Sequence, residues 1–299
     1  MKKAILLLML IISTFSVYAQ TETYKSGSLL WKISGKDLSK PSYLLGTFHL
    51  KSGEYFDSIP GARTVFQSCD QIVGELSMSD MAGLQMQIMQ AMQMNSDTTY
   101  KMLYSDEDYK FVSENLASLT GAGLEQLGMM KPAALQLTVI SLTYLKFFPD
   151  FNPMNTLDIR IQSEATKEQK PVIGLETIDD QIFVLFGTMN LQRQADVLLC
   201  TLKNMDNSIE SVSEMIDDYN NSNLNKLYQL MEDSESCPST FSEKDALNKD
   251  RNNSWIKKLP EIMKEKSSFV AVGALHLAGE EGLLNLLEKS GYKVEPVVL

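Results

Sequence analysis

The sequence predicts a mixed α/β fold (α+β mixed), a central mixed β-sheet flanked by helices, with a large helical insertion over about 79–147. Three observations predict it. Short apolar runs that end in glycine recur at 42–46, 71–74, 171–174 and 268–273, the pattern of buried strands. Between the second and third of these runs, 79–146 is almost wholly helical in pattern. After the last run, a helical and then a strand-like segment close the chain, so strand and helix are mixed from end to end.

In order, 28–34 and 42–50 read as two strands joined through the turn residues Gly35 and Lys36. A helix over about 59–68 leads into a short strand at 71–76. The helical stretch that follows is broken by polar residues at 95–99 and by Thr120-Gly121-Ala122-Gly123, and Pro132 is placed to open its last helix. A helix over about 156–166 precedes a strand at 171–175. Helices are expected over 178–231 and 241–264, then a strand leading to His276, a helix over about 278–289 and a strand at 292–297. The whole of 20–299 is expected to form one domain.

Residues 1–19 have the form of an export signal: Lys2 and Lys3, an apolar stretch at 4–12 too short to span a bilayer, and Val17-Tyr18-Ala19 as a cleavage site. Cleavage would leave about 280 residues and take the net charge from −11 to about −13. The expected product is a periplasmic or secreted protein with no stable membrane anchor. Its acidity argues against nucleic acid and anionic membranes as partners. Three cysteines allow at most one internal disulfide, for which Cys200 with Cys237 is the expected pair. Cys69 is expected to be a small buried apolar residue rather than a nucleophile, since no histidine lies near it in sequence.

The chain contains only two histidines, and both close the same kind of phrase, Gly46-Thr47-Phe48-His49 and Gly273-Ala274-Leu275-His276. Imidazole is the commonest metal ligand and moves protons near neutral pH, so a shared site is the expected reading, against two unrelated structural histidines. Glu75 and Glu176 follow glycines at two other strand ends. A carboxylate there needs a cation or strong donors, although Glu75 could be a rim salt bridge and Glu176 a helix cap. In α/β sheets ligands gather where strands finish. Two imidazoles and two carboxylates at such a place would suit zinc, manganese or cobalt. Arg251 and Asn252 lie in a polar helix, where a guanidinium could hold a substrate carboxylate or an oxyanion, against a solvated face. The methionines of 78–94 are expected to pack at helical spacing, notably Met86, Met89 and Met92, rather than to line a groove or bind copper. His-Glu-x-x-His, phosphate-cradling loops, Gly-x-Gly-x-x-Gly and Gly-x-Ser-x-Gly are all absent.

The segments Tyr43-Leu44-Leu45-Gly46-Thr47-Phe48-His49, Val73-Gly74-Glu75-Leu76, Gly174-Leu175-Glu176-Thr177, Arg251-Asn252 with Trp255, and the run from Val270 to Gly279 resemble, in order, the TraB/PrgY/GumN family, whose animal relatives are the Tiki metalloproteases. The resemblance implies a Tiki, erythromycin-esterase and ChaN-like fold and a site around the paired Gly-x-x-His motifs, with manganese or cobalt favoured in the Tiki branch. It places His49 and His276 on the motif histidines, Glu75 on the acidic position and Arg251 with Asn252 on the late polar pair. Other members are described as pheromone-shutdown or polysaccharide-cluster proteins.

The expected function is thus an exported metal-dependent hydrolase of the peptidase type, acting on a peptide or small molecule. His49, His276 and Glu75 would hold a divalent ion (Mn, Co or Zn). Glu176, or Glu75 if it is not a ligand, would move the proton, and Arg251 would steady the oxyanion beside Asn252. The alternatives are a non-catalytic binder of peptide, haem or metal, and a metal-free ester hydrolase with His49 as general base.

Overall fold

The computed structural model describes residues 25–149, 151–232 and 237–297. The expected export signal lies outside them. Among the described residues, six strands form one mixed sheet: β1 (Leu30–Ser34), β2 (Ser42–Thr47), β3 (Gln71–Gly74), β4 (Val172–Gly174), β5 (Ser268–Gly273) and β6 (Lys293–Pro296). Their order across the sheet is β4-β3-β5-β2-β1-β6. The four strands β4, β3, β5 and β2 run parallel, while β1 is antiparallel to both of its neighbours. The central strands β3 and β5 are buried almost throughout, which is why they read as unbroken apolar runs instead of alternating ones.

Register fixes where the site will be. Gly74 of β3 pairs with Gly174 of β4 and with Ala271 of β5, and Thr47 of β2 pairs with Gly273 of β5. The carboxyl ends of all four parallel strands therefore reach one edge of the sheet together. The glycines there serve close approach. A Cβ on Gly174 would stand 2.9 Å from the Ser77 nitrogen and 3.0 Å from the Glu176 oxygen, and one on Gly46 would stand 3.0 Å from Ala274 Cα. None of these strand-end glycines has a positive φ. The bend that sequence assigns to them is a packing requirement instead.

One apolar cluster surrounds the sheet, with Phe56, Phe66 and Phe269 edge to face at 5.5–6.0 Å. A second core, with Val112, Leu116, Leu135, Val139 and Leu198, sits within the helical layer. That layer is not limited to 79–147, because the helix Pro132–Phe147 packs against Leu191–Lys203. Cys200 at the end of the latter is bonded to Cys237, the expected pair, and Cys69 is buried and free. Burial pushes the Cys69 thiol up to about 11. Among the described residues, no helix is long and apolar enough to cross a membrane.

Two local expectations are corrected. Met86 and Met89 do not pack: they are 63% and 67% exposed, because no element among the described residues covers that face of Met81–Ala91. Among the methionines of 78–94 whose side chains are described, Met92 and Met94 are the ones that reach apolar clusters. The helix expected over about 278–289 begins only at Leu283, since Gly279 takes a left-handed φ of 85° and Gly282 forms the cap.

Candidate functional site

His49 follows β2, Glu75 follows β3, Glu176 follows β4, and His276 ends a single 3-10 turn, Ala274–His276, after β5. Each candidate side chain thus comes from a different parallel strand. The remaining two come from the helix Lys249–Glu265, whose buried residues Asn252, Trp255, Leu259 and Met263 recur at helical spacing. Arg251 is mostly enclosed and Asn252 wholly buried, so this is not a solvated face.

Arg251 is the hub. Its Nε and Nη2 donate to the two oxygens of Glu176 at 2.7 and 2.9 Å, and Nη2 also donates to Glu75 Oε2 at 2.6 Å. Its Nη1 donates to His276 Nε2 at 2.9 Å and to the Leu247 carbonyl at 3.3 Å. These contacts use all five guanidinium N–H groups. The guanidinium also lies 4.8 Å from the Trp255 ring, and Trp255 Nε1 donates to Glu176 Oε1 at 2.9 Å. Glu176 is therefore a structural partner of Arg251. The cap of the following helix comes instead from Thr177, whose side chain forms a capping box with Asp180.

The two imidazoles are each aimed through Nδ1. Asn252 Nδ2 is committed to oxygen acceptors, Asn248 Oδ1 at 2.8 Å, the Glu281 carbonyl at 2.8 Å and the His276 carbonyl at 3.2 Å. Its Oδ1 must then face His276, which donates from Nδ1 at 2.8 Å and leaves Nε2 unprotonated to accept from Arg251. Burial and the cationic neighbour hold His276 down at about 4 despite Glu75 beside it, so it is neutral at pH 7. His49 differs. Its Nδ1 donates to Asp158 Oδ2 at 2.9 Å, and Asp158 Oδ1 accepts from Thr47 Oγ1 at 2.7 Å. Asp158 raises His49 to about 9, so this imidazole carries a proton at neutral pH, and its side chain is 69% exposed against 12% for Asp158. Glu75 is held at about 2: the positive neighbours and the Gly273 N–H, which donates to Oε1 at 2.8 Å, outweigh burial.

Asp158 is the site residue that sequence reasoning missed. It stands in the first turn of Leu157–Lys167, after the Thr156 cap, where an acid is already explained by the helix dipole.

His49, Glu75, Arg251 and His276 line one cavity of about 430 Å³. The two imidazoles, distant in sequence, therefore face a common space. As donor types, two imidazoles and a carboxylate suit a divalent ion. Their placement does not: among the described residues no group of three His, Cys, Asp or Glu side chains is gathered to hold one. Arg251 explains this, because it occupies both His276 Nε2 and Glu75 Oε2.

The chain is 24% identical to the metalloprotease TIKI1 of Xenopus tropicalis over 327 aligned positions, an alignment covering 89% of this chain and 61% of that protein. The chain thus spans about three-fifths of that relative's length. No solved structure matches it significantly. A profile of the TraB/PrgY/gumN family matches residues 29–296, nearly everything from β1 to β6. The chain belongs to the TraB/PrgY/gumN family.

Proposed function

We propose that this chain is an exported hydrolase acting on peptide bonds. The observation that carries the reading is the pair of oriented imidazoles with opposite protonation, His49 charged and His276 neutral, facing one cavity beside Glu75. Titratable groups whose environments push them apart are the mark of assigned acid and base roles. His49, protonated and exposed, is available to protonate a leaving amine. His276, whose Nε2 lone pair is kept unprotonated by Asn252 and accepts from Arg251 Nη1, becomes the proton acceptor once that Arg251 contact is exchanged. Arg251, with every N–H engaged, aligns Glu75, Glu176 and His276 and reaches substrate only if a contact is exchanged. The relative named a metalloprotease makes peptide bonds the substrate class to test first. The disulfide between Cys200 and Cys237 supports an oxidising compartment.

A metal-dependent form of the same reading draws on that relative's name and on the donor types. It requires Arg251 to turn away so that His49, His276 and Glu75 become free to hold an ion such as Mn, Co or Zn. The test is turnover of a peptide library by the mature protein beside His49→Ala and His276→Ala, with and without chelator, together with metal analysis. Cleavage lost in both variants, with circular dichroism unchanged, supports the hydrolase. Loss on chelation assigns the metal-dependent form, and insensitivity to chelator assigns the metal-free one. Binding of peptide, haem or metal without turnover selects the non-catalytic binder. Full activity in both variants ends the proposal.

A further inference from the structure

Four cavities adjoin in a run from the flank of β4, at Val172, onto the carboxyl edge of the sheet, each sharing at least one wall residue with the next. The first, of about 240 Å³, shares Met78 and Gln162 with a second of about 120 Å³. The second shares His49 and Glu75 with the 430 Å³ cavity of the site. That cavity shares Leu50 with a fourth, of about 400 Å³, walled by Tyr55, Phe147, Phe148 and Phe151. His49 and Glu75 therefore stand in the middle of a run, with space on either side. A site for a small molecule or a chain terminus needs only a single closed pocket at the reacting groups.

We infer that this groove takes an extended polypeptide that runs across His49 and Glu75, with a bulky apolar side chain seated in the 430 Å³ cavity. The cleavage would thus be internal to the chain. This deepens the hydrolase reading and rests on it for the chemistry alone. The apolar walls of that cavity come from several elements: Phe48 after β2, Tyr144 from Pro132–Phe147, Met215 from Met205–Asn220, Leu227 and Met231 from Leu224–Glu232, and Leu247 from Phe241–Leu247. Its volume lies in the range of ligand pockets, and methionine walls adapt to side chains of different shape. An extended peptide sends alternate side chains to opposite sides at about 3.3 Å per residue, so successive cavities can each take one residue or its neighbour. Gln162 fixes the far wall by donating to the Leu76 carbonyl at 2.8 Å and accepting from the Met78 N–H at 2.9 Å.

The test uses internally quenched decapeptides, acetylated at the amino end and amidated at the carboxyl end, with Phe, Leu, Ala or Asp at one interior position. Capped and uncapped peptides should be cleaved alike, with kcat/KM for Phe and Leu at least about tenfold above Asp. Met231→Trp and Met215→Trp, which narrow the cavity from two different helices, should each shift preference from Phe toward Ala through KM. Cleavage only of uncapped peptides overturns the inference while leaving the hydrolase intact, as does equal cleavage of Phe and Asp peptides. If nothing is cleaved, anisotropy of a labelled capped Phe peptide separates the cases. Binding weakened by both Trp variants retains the groove and removes the hydrolase, whereas no binding removes both.

Discussion

His49 and His276 share a four-residue phrase and differ in proton affinity because their Nδ1 partners and neighbours differ. Asp158 holds a proton on the exposed ring, whereas burial beside Arg251 keeps the other ring neutral. With only two histidines in the chain, each ring resonance can be followed separately by NMR. His49 should titrate near 9, and His276 should show no midpoint above about 5. Asp158→Asn should bring His49 down toward its ordinary 6.5 without moving His276. A His49 midpoint that ignores this substitution would contradict the contact. The paired phrases, Glu75, Glu176, Arg251 and Asn252 were all visible in the sequence because glycine-ended strands and the late polar pair announce them. Asp158 was not, because its partner lies 109 residues away and a first-turn acid needs no such partner.

The elements around these residues were legible where pattern decides them and obscure where packing does. All six strands were anticipated from apolar runs and glycine ends, and Pro132 opens its helix as expected. Met86 and Met89 were misread because helical spacing says which residues share a face but not whether anything covers it. Gly174 shows the same limit. Only the backbone atoms of Ser77 and Glu176 make it obligatory, and neither can move like the end of a flexible side chain. Gly174→Ala should therefore destabilise the fold by about 1–3 kcal/mol and loosen Glu176 from Arg251, measured by denaturant melts. The helical layer carries its own staple. Replacing Cys200 and Cys237 by serine should cost about 4 kcal/mol for a bridge spanning 37 residues. Hydrogen exchange should locate the loss in helices 132–147 and 191–203, with the strands still protected.

Across the molecule, the charge cluster ties stability to pH in a definite direction. Glu75 binds its proton at about 2 folded against 4.5 ordinarily, so its contribution is present above about 4.5 and lost as pH falls toward 2. His276 acts in the same sense: below 6.5 the unfolded chain takes up a proton that the folded one refuses until about 4. His49 acts oppositely, its contribution being present below 6.5 and lost as pH rises through about 9. That contribution is the smaller one, because the ring is open to solvent. Melting temperature should fall steadily from pH 6.5 to 4 and only slightly from 7 to 9. A flat acid limb would mean that the cluster titrates as free side chains do. Composition, strand pattern and the doubled histidine phrase sufficed for the fold class, the six strands and most residues of the candidate site, since these depend on local periodicity and residue type. The parallel register that brings four strand ends to one edge, Asp158 behind His49, and the seating of Arg251 on two of the expected metal ligands arose only in three dimensions. Each depends on groups far apart in the chain, and one sequence carries no record of which distant atoms will meet.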